Sequence, residues 1–156
     1  MGLEIRDKIV NFVGEKIRAA RVQKNECNNI SVLRTNSMRH FTNYFRENQL
    51  DNVFICFPDP HFKAQNFRRR IINFGFLSEY AYCLKKGGRL YCITDVKELH
   101  EWHFKHLEEH TLFKRIPEEA LKEDPCWISI FEKTEEGIKV ERNKGQKYGL
   151  VYECVK

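Results

Sequence analysis

Two short runs of apolar residues, at positions 53–57 and 90–93, constrain the possible folds of this chain most strongly. Residues 53–57 form an uninterrupted apolar run, which Pro58 stops at once. Strands buried on both faces of a parallel sheet have this character, whereas strands with one solvated face alternate. Segments in which apolar residues recur at helical spacing stand between such runs. This alternation predicts an α/β fold built by right-handed crossovers.

The remaining segments continue the same alternation. Strands are predicted at residues 2–5, 30–33, 53–57, 89–94, 127–131 and 148–155. Helices are predicted at residues 7–24, 37–48, 68–85, 96–109 and 134–143. Gly87 and Gly88 are expected to end the third of these helices. Because no internal repeat or linker divides the chain, residues 1–156 are predicted to form one domain.

The composition favours a soluble intracellular protein. Of the 156 residues, 42% are hydrophobic and 31% are charged, which is globular rather than disordered composition. No apolar run approaches the roughly 20 residues that span a bilayer, and the first residues do not have the pattern of a signal peptide. None of the six cysteines forms a C-x-x-C pair, and most lie in apolar runs, so we expect reduced core thiols.

A basic cluster follows the first apolar run. Arg68, Arg69 and Arg70 come shortly after Lys63, with Phe62 before and Phe67 within the cluster, in a chain of net charge +5. Such a cluster beside a loop suits a phosphate-bearing partner. The alternative interpretation is a helix face that is only solvated.

Polar residues follow four of the predicted strands: Glu4, Asn36, Asp59 and the pair at 94–95. The working residues of such sheets lie just past the carboxyl ends of the strands, so we expect these positions to converge. Glu4 would either accept hydrogen bonds from ribose hydroxyls or form a surface ion pair. Asn36 would either cap a helix or contact a ligand.

The loop that follows residue 57 is the sharpest feature. Pro58 and Pro60 fix φ and favour extended neighbours, so Asp59 is held in a rigid turn. Its carboxylate could accept hydrogen bonds from a bound base, or the segment could be a plain surface turn. Asp95 could act at the same edge of the sheet, or it could cap the helix that follows.

Four histidines, at positions 100, 103, 106 and 110, lie on one predicted helix. Three of them have a spacing that shares a helix face, which raises the possibility of a metal site. No cysteine or carboxylate at recognised ligand spacing accompanies them, so we expect a polar helix surface and no metal.

Six stretches of the chain occur in the order typical of one enzyme family. They are Gly2-Leu3-Glu4-Ile5-Arg6, Leu33-Arg34-Thr35-Asn36-Ser37-Met38, Phe57-Pro58-Asp59-Pro60-His61-Phe62-Lys63, Glu79-Tyr80-Ala81-Tyr82, Ile93-Thr94-Asp95-Val96 and Thr134-Glu135-Glu136-Gly137. In these stretches the chain resembles the tRNA (guanine-N7)-methyltransferases, and their eukaryotic branch in particular. The Phe-Pro-Asp-Pro element with a basic cluster downstream is the most specific part of the likeness.

The resemblance implies a Rossmann-like class I methyltransferase fold, with a mostly parallel sheet and helices on both faces. It implies S-adenosylmethionine as cofactor and 7-methylguanosine in the variable loop of tRNA as product. A WD-repeat subunit that assists tRNA binding is implied as partner, and the expected location is the nucleus, with the cytoplasm as a further one.

Residue roles follow from the matching positions, and they are expectations of the resemblance. The catalytic acid would be Asp59. The cofactor would meet Glu4 and Arg6 at its ribose, Asn36 and Ser37 near its adenine, Cys56 beside it, and Thr134, Glu135 and Glu136 closing the pocket. The tRNA would meet Lys63, Arg68, Arg69, Arg70 and Asp95.

One departure from the family pattern bears on activity. Family members carry a first strand and a glycine-rich cofactor loop just before the segment that begins at Gly2, so we expect this chain to be an N-terminally truncated form. A non-catalytic tRNA- or partner-binding fragment is therefore the alternative function. A methyltransferase for amino groups of DNA or protein is a third candidate, but its Asn/Asp-Pro-Pro-aromatic loop matches residues 57–62 poorly.

Overall fold

The computed structural model describes residues 1–156, which divide into two compact units, Met1–Tyr44 and Phe45–Lys156. The first unit contains strand β1 (Gly2–Glu4), helix α1 (Asp7–Lys24), strand β2 (Val32–Arg34) and helix α2 (Ser37–Tyr44). β1 and β2 pair in parallel, with Leu3 opposite Leu33. Because parallel neighbours need a long crossover connection, α1 joins them.

The predicted boundaries of α1 are confirmed, whereas those of two other elements in this unit differ. Asn25, in the left-handed conformation at φ 54°, follows the last residue of α1. β2 begins at Val32 instead of residue 30. α2 ends at Tyr44 instead of residue 48, and Asn48 lies in the left-handed region at φ 55°, which a continuing helix does not allow.

The second unit is built on a four-stranded sheet. Its strands and α-helices are β3 (Leu50–Cys56), α3 (Phe74–Cys83), β4 (Leu84–Thr94), α4 (Lys97–Glu108), β5 (Phe113–Arg115), α5 (Pro125–Glu132), α6 (Glu135–Arg142) and β6 (Tyr148–Cys154). Two 3₁₀ helices, Ala64–Arg69 and Glu118–Leu121, lie in the connections.

The sheet of the second unit is mixed. Its strand order is β3-β4-β6-β5, with β3 parallel to β4 and the other two pairs antiparallel. The α/β class is confirmed, but this sheet is less parallel than the resemblance implies. β5 was not predicted, because a strand of three residues inside a proline-punctuated loop has too little pattern to detect.

The core of the second unit surrounds β4. Leu90 and Ile93 have no exposed surface, and Tyr91 and Cys92 are 1% exposed. On one face of the sheet, Tyr91 and Ile93 pack with Val151 of β6, with Ile130 of α5 and with Leu121. Over residues 89–93 this strand is paired on both edges, so that part of β4 anchors the unit.

Helix α3 begins later than predicted, and the glycines after it serve another purpose. It starts at Phe74 instead of residue 68, because Asn73 caps it by accepting a hydrogen bond from the amide of Phe76. Gly87 and Gly88 lie inside β4, where the register against β3 shifts. Gly87 has φ +79°, so the pair forms a strand irregularity and not a helix end.

The segment predicted as a strand at residues 127–131 is helix α5, so that prediction was wrong. Asp124 caps the helix by accepting hydrogen bonds from the amides of Cys126 and Trp127, and Pro125 occupies its first turn. These start signals outweigh the β propensity of the apolar residues that follow.

Residues 53–57 were predicted as a strand buried on both faces, but β3 lies at the edge of the sheet and its residues alternate between buried and exposed. β4 begins at Leu84 instead of residue 89. α4 and α6 lie where helices were predicted, as does the last strand β6. All six cysteines are free thiols. None of the helices is long and apolar enough to cross a membrane.

Replacing Ile93 with alanine should destabilise the protein by about 2–5 kcal/mol, because the change leaves a cavity at a fully buried position of β4. Urea unfolding measures this loss. Ile5→Ala is the matched control, since Ile5 is 58% exposed, and its free energy of unfolding should change by less than about 0.5 kcal/mol. Equal losses in the two variants would contradict the assigned core.

Candidate functional site

In the first unit, the acid at the end of β1 is paired with a nearby arginine. The amide and Nε of Arg6 donate to Oε1 of Glu4 at 2.8 and 3.0 Å, and Nη2 donates to Oε2 at 3.1 Å. The hydrogen bonds from Arg6 lower the pKa of Glu4, against a smaller opposing effect of burial. Glu4 is therefore an ionised acceptor at neutral pH, and Arg6 sets its orientation.

The residue that follows β2 is hydrogen-bonded to the backbone of Glu4. The amide of Thr35 donates to the carbonyl of Glu4 at 2.9 Å. Asn36 caps α2, with its side-chain oxygen accepting from the amide of Met38 at 3.1 Å. Ser37 is the first residue of the helix. The first unit thus places Glu4 and Asn36, two of the four predicted strand-end positions, at the carboxyl ends of its two strands, and Arg6 and Ser37 lie beside them.

Thr35 adds a residue that the sequence did not single out. It is only 8% exposed, and its hydroxyl oxygen has no hydrogen-bond partner. Buried hydroxyls without a partner are uncommon, and they often mark a place where a bound group completes the bonding. Thr35 precedes Asn36 in the chain, and its amide donates to the carbonyl of Glu4.

In the second unit, the pairing of β3 with β4 sets the positions of two further acids. Cys56 is opposite Ile93, and the amide of Phe57 extends the ladder by donating to the carbonyl of Ile93 at 2.8 Å. Parallel strands end at the same edge, so the loop after β3 and the segment of Asp95 after β4 leave the sheet side by side.

The loop after β3 is a tight structure with unusual backbone angles at both ends. Phe57 and His61 have φ values of 49° and 47°, in the left-handed region that favours glycine. Between them, Oδ1 of Asp59 accepts a hydrogen bond from the amide of His61 at 3.1 Å. The Asp59 side chain is 72% exposed. The loop therefore presents a fixed carboxylate to solvent.

Asp95 does not cap the helix that follows it. The oxygen of Thr94 accepts the hydrogen bond from the amide of Val96 at 3.2 Å, and α4 has no capping side chain at Val96. Asp95 is exposed, and its carboxylate makes no hydrogen bond or ion pair within the chain. The capping alternative is therefore excluded, and a role at the surface of the site remains.

The start of α6 contacts the same loop. Thr134 caps the helix by accepting from the amide of Gly137 at 3.2 Å. A Cβ placed on Gly137 would lie 2.6 Å from the Thr134 oxygen and 3.7 Å from the ring of Phe57. Glu135 and Glu136 occupy the exposed first turn, where Glu136 pairs with Lys139. Thr134 to Glu136 thus adjoin the loop of Asp59 through the Phe57 ring.

Cys56 is the last residue of β3 and comes directly before this loop. Part of its side chain reaches the surface, yet the surrounding protein desolvates the sulfur and raises its pKa to about 11. It is a neutral thiol at physiological pH, which suits contact with an uncharged or apolar group.

The basic cluster divides into two kinds of residue. Lys63, Arg68 and Arg69 are exposed and form no ion pair within the chain. Arg70 is only 1% exposed, and its guanidinium donates to the carbonyl of Pro60 and to Glu98. In this structure Arg70 is therefore not available to a phosphate, since its donors are used inside the protein.

The histidines in α4 and just after it, where His110 lies, also differ from the expected polar surface. His103 and His110 are buried, at 1% and 2% exposure. His110 exchanges a hydrogen bond with Ser78 at 3.1 Å, and His106 stacks on Trp102. No group of three potential metal-binding side chains occurs in the chain. Some of these rings therefore pack inside the protein and do not belong to a solvated helix face.

Comparison with solved structures identifies the fold. A rRNA methylase from Streptococcus thermophilus superposes with a TM-score of 0.56 at 11% identity, over 99% of this chain and 72% of its own. The cyclase SpnF superposes with a TM-score of 0.57 at 12% identity, over 99% of this chain and 66% of its own. The class is therefore an α/β protein with the Rossmann-like methyltransferase fold. Identities this low establish the fold alone.

The sequence comparison is more specific. The chain belongs to the family described as putative methyltransferase, whose model matches residues 1–150. Among curated proteins, it is 50% identical over 155 residues to a tRNA (guanine-N(7)-)-methyltransferase of Caenorhabditis elegans. It is 51% identical over 151 residues to the enzyme of the same name from Kluyveromyces lactis. These alignments cover 97% and 95% of the chain but only 60% and 54% of the relatives.

His103 should make the protein less stable as the pH falls. Burial is the main cause that lowers its pKa to about 3, and the neighbouring charges of His100, Arg70 and His106 add to it. Below the unfolded-state pKa of about 6.5, only the unfolded chain takes up this proton, so stability falls by about 1.4 kcal/mol per pH unit. Above that pH, the contribution is constant.

Urea unfolding between pH 7 and pH 4 measures this slope. His103→Leu should flatten it by about one proton, whereas His40→Leu, at an exposed position of α2, should leave it unchanged. A slope that stays the same in the His103 variant would show that this histidine is not buried as a neutral ring.

Proposed function

We propose that this chain carries the catalytic site of an enzyme that transfers a methyl group from S-adenosylmethionine to N7 of a guanine in tRNA. The observation that carries the proposal is the exposed carboxylate of Asp59 on its backbone-fixed turn, directly after β3. The enzyme names of the relatives, which match this chain at about half of its positions, support the same activity.

The reaction requires alignment more than proton transfer. Guanine N7 has a lone pair and no proton, so no residue needs to act as a base toward it. The bound cofactor supplies an electrophilic methyl group on a positively charged sulfur. The protein's task is then to hold the base so that N7 faces that methyl group, which is the orientation effect known for bimolecular reactions.

Asp59 is suited to hold the base. Its Oδ1 is fixed by the amide of His61, and the exposed carboxylate can accept hydrogen bonds from the N–H edge of guanine. Methylation at N7 makes the base cationic, so a carboxylate nearby stabilises the charge that develops in the transition state. Asp95 leaves the same edge of the sheet and can contact the substrate beside it.

The first unit offers groups that fit a nucleoside cofactor. Glu4 is an ionised acceptor, which suits ribose hydroxyls, and the unpartnered hydroxyl of Thr35 is ready to bond. Asn36 and Ser37, which follow Thr35 in the chain, are the proposed contacts for adenine. The second unit, taken by itself, offers the neutral thiol of Cys56 and the first turn of α6, from Thr134 to Glu136, as the cofactor contacts that the family resemblance implies.

The surface beside Asp59 suits RNA. Lys63, Arg68 and Arg69 present free positive charges, and Phe62, which lies between Asp59 and Lys63, is 67% exposed. Cations that follow phosphates and an aromatic ring that can stack on a base are the usual parts of such surfaces. The guanine would have to leave the folded RNA to reach Asp59.

Two further features are proposed on the family resemblance alone. They are a WD-repeat subunit as partner in tRNA binding and a nuclear location. Purification of the protein from its own cells, followed by identification of what accompanies it, tests the first. The alternative of a non-catalytic binding fragment is not favoured, because the alignments with relatives named as enzymes cover at least 95% of the chain.

Replacing Asp59 with alanine in the full-length protein should lower kcat for tRNA methylation by at least about 100-fold, the usual effect of losing a charge-stabilising group. The affinity for tRNA should stay within about twofold. Methyl transfer from radiolabelled cofactor and a filter-binding assay measure the two quantities. Asp51→Ala is the control, since Asp51 lies at the opposite end of β3 and is exposed. Unchanged turnover in the Asp59 variant would reject the assignment.

Replacing Arg68 or Arg69 with alanine should weaken tRNA binding at every ionic strength. The slope of log K against log[salt] should become shallower by about 0.7–0.9 for each lost phosphate contact. Binding titrations between 50 and 200 mM salt measure this slope. Lys114→Ala is the control, because Lys114 is an exposed cation of β5. A slope that matches the wild type would place these arginines outside the RNA contact.

A further inference from the structure

Arg70 is a cation enclosed within the protein, directly after the exposed end of the basic cluster. Its side chain is 1% exposed. Nε donates to the carbonyl of Pro60 at 2.9 Å, and Nη2 donates to Oε1 of Glu98 at 2.6 Å. Burying a charge is costly unless it is paired and hydrogen-bonded. Both conditions are met here by residues that lie far apart in the sequence.

Two aromatic rings hold the same guanidinium. Its central carbon lies 3.7 Å from the centroid of the Phe67 ring and 4.7 Å from that of Trp102. The Trp102 indole is itself fixed, because its N–H donates to the carbonyl of Ile72 at 2.6 Å. A planar, delocalised cation can stack on rings and donate at its edge at the same time, which an ammonium group cannot do.

The two hydrogen-bond partners of Arg70 belong to the two segments that carry the proposed active-site acids. Pro60 follows Asp59 in the loop after β3. Glu98 is in the first turn of α4, the helix that begins just after Asp95. The Arg70 side chain is therefore a direct link between the two segments, additional to the strand pairing below them.

We propose that Arg70 is a positioning residue that fixes the Asp59 loop against the start of α4, and that it does not contact the RNA. The inference rests on the proposed function for its effect on turnover. The link itself predicts that the loop is rigid, and loop rigidity can be measured without an activity assay. Phe67, Trp102 and Glu98 form the rest of this clamp.

Kinetics of variants of the full-length protein test the role. Arg70→Lys keeps the charge but has one nitrogen and no planar edge, so we expect kcat for tRNA methylation to fall about tenfold or more. KM for tRNA should stay within about twofold, unlike in the variants of Arg68 or Arg69. Glu98→Gln keeps an acceptor oxygen but removes the negative charge that pairs with Arg70, so it weakens one arm of the clamp at a half-exposed position and should lower kcat by about threefold.

Amide hydrogen exchange supplies the measurement that does not need activity. The amides of His61, Asn66 and Arg70 are hydrogen-bonded within the loop and the 3₁₀ helix, to Asp59, Lys63 and Phe67. In Arg70→Lys and Glu98→Gln these amides should exchange faster by about fivefold or more, because opening of the segment becomes easier.

Tyr152→Phe is the matched control for a lost internal hydrogen bond. Tyr152 is 1% exposed and donates to Glu108, at the other end of α4 from Glu98. This variant should lose stability but keep the wild-type kcat and the wild-type exchange of residues 61–70. A similar fall in kcat in this control would mean that general destabilisation explains the effect, and would overturn the proposal.

The remaining outcomes are also decisive. Unchanged exchange of residues 61–70 in both clamp variants would overturn the proposal, as would a loss confined to KM for tRNA. If Arg70→Lys does not fold, Glu98→Gln decides the result. If the wild-type protein methylates no tRNA, the proposed function fails, and the exchange experiment still tells whether the clamp exists.

Discussion

The parallel pairing of β3 with β4 is the constraint on which the second unit depends. It aligns the two strands so that Cys56 is opposite Ile93, and it continues by one hydrogen bond into the loop. Asp59, the proposed catalytic residue, and Asp95, a proposed substrate contact, both follow strands that end at this edge. Since β4 is also paired with β6, the edge cannot shift unless three strands move together. The sheet therefore serves as a rigid base for the loop of Asp59.

Charged side chains inside the second unit are used to fasten segments to this sheet. At one end of β4, Arg89 and the hydroxyl of Tyr91 both donate to Asp124, at 2.7 and 2.8 Å. Burial alone would raise the pKa of Asp124, but these bonds and those from two amides of α5 lower it. At the other end, Arg70 ties the loop to α4. Each ion pair joins elements that are distant in sequence, which local hydrogen bonds cannot do.

The sequence was sufficient for features that depend on local pattern. The long helix α1, residues 89–94 of β4 and the capped helix α6 all follow from apolar patterns and capping residues. β3 is a strand as predicted, but it is not buried on both faces: its residues alternate between buried and exposed, and Phe54 is 45% exposed, because β3 lies at the edge of the sheet. It failed at residues 127–131, where Asp124 and Pro125 start a helix within an apolar run that looks like a strand. The capping signals decide the structure there, whereas the prediction relied on the apolar character of the segment alone.

The site was predictable as a set of strand ends and less so in its internal contacts. Glu4, Asn36 and Asp59 follow strands, and that can be seen from the sequence. Arg70 looks identical to Arg68 and Arg69 in the sequence, because only the folded chain places Trp102 and Glu98 beside it. Thr35 was missed for the same reason, since burial of a hydroxyl without a partner is a property of three-dimensional packing.

The Phe57 ring against Gly137 has a consequence for how this region can vary. The backbone at Phe57 has a φ that glycine adopts most easily, yet a glycine there would remove the ring that fills the space beside α6. At position 137 an added Cβ would lie 2.6 Å from the Thr134 oxygen and 3.2 Å from the carbonyl oxygen of Phe131, whereas its distance of 3.7 Å to the Phe57 ring is an ordinary van der Waals contact. A side chain there would displace the hydroxyl that caps α6 before it disturbed the ring. Position 57 is therefore constrained by the ring it supplies, and position 137 by the cap of the helix.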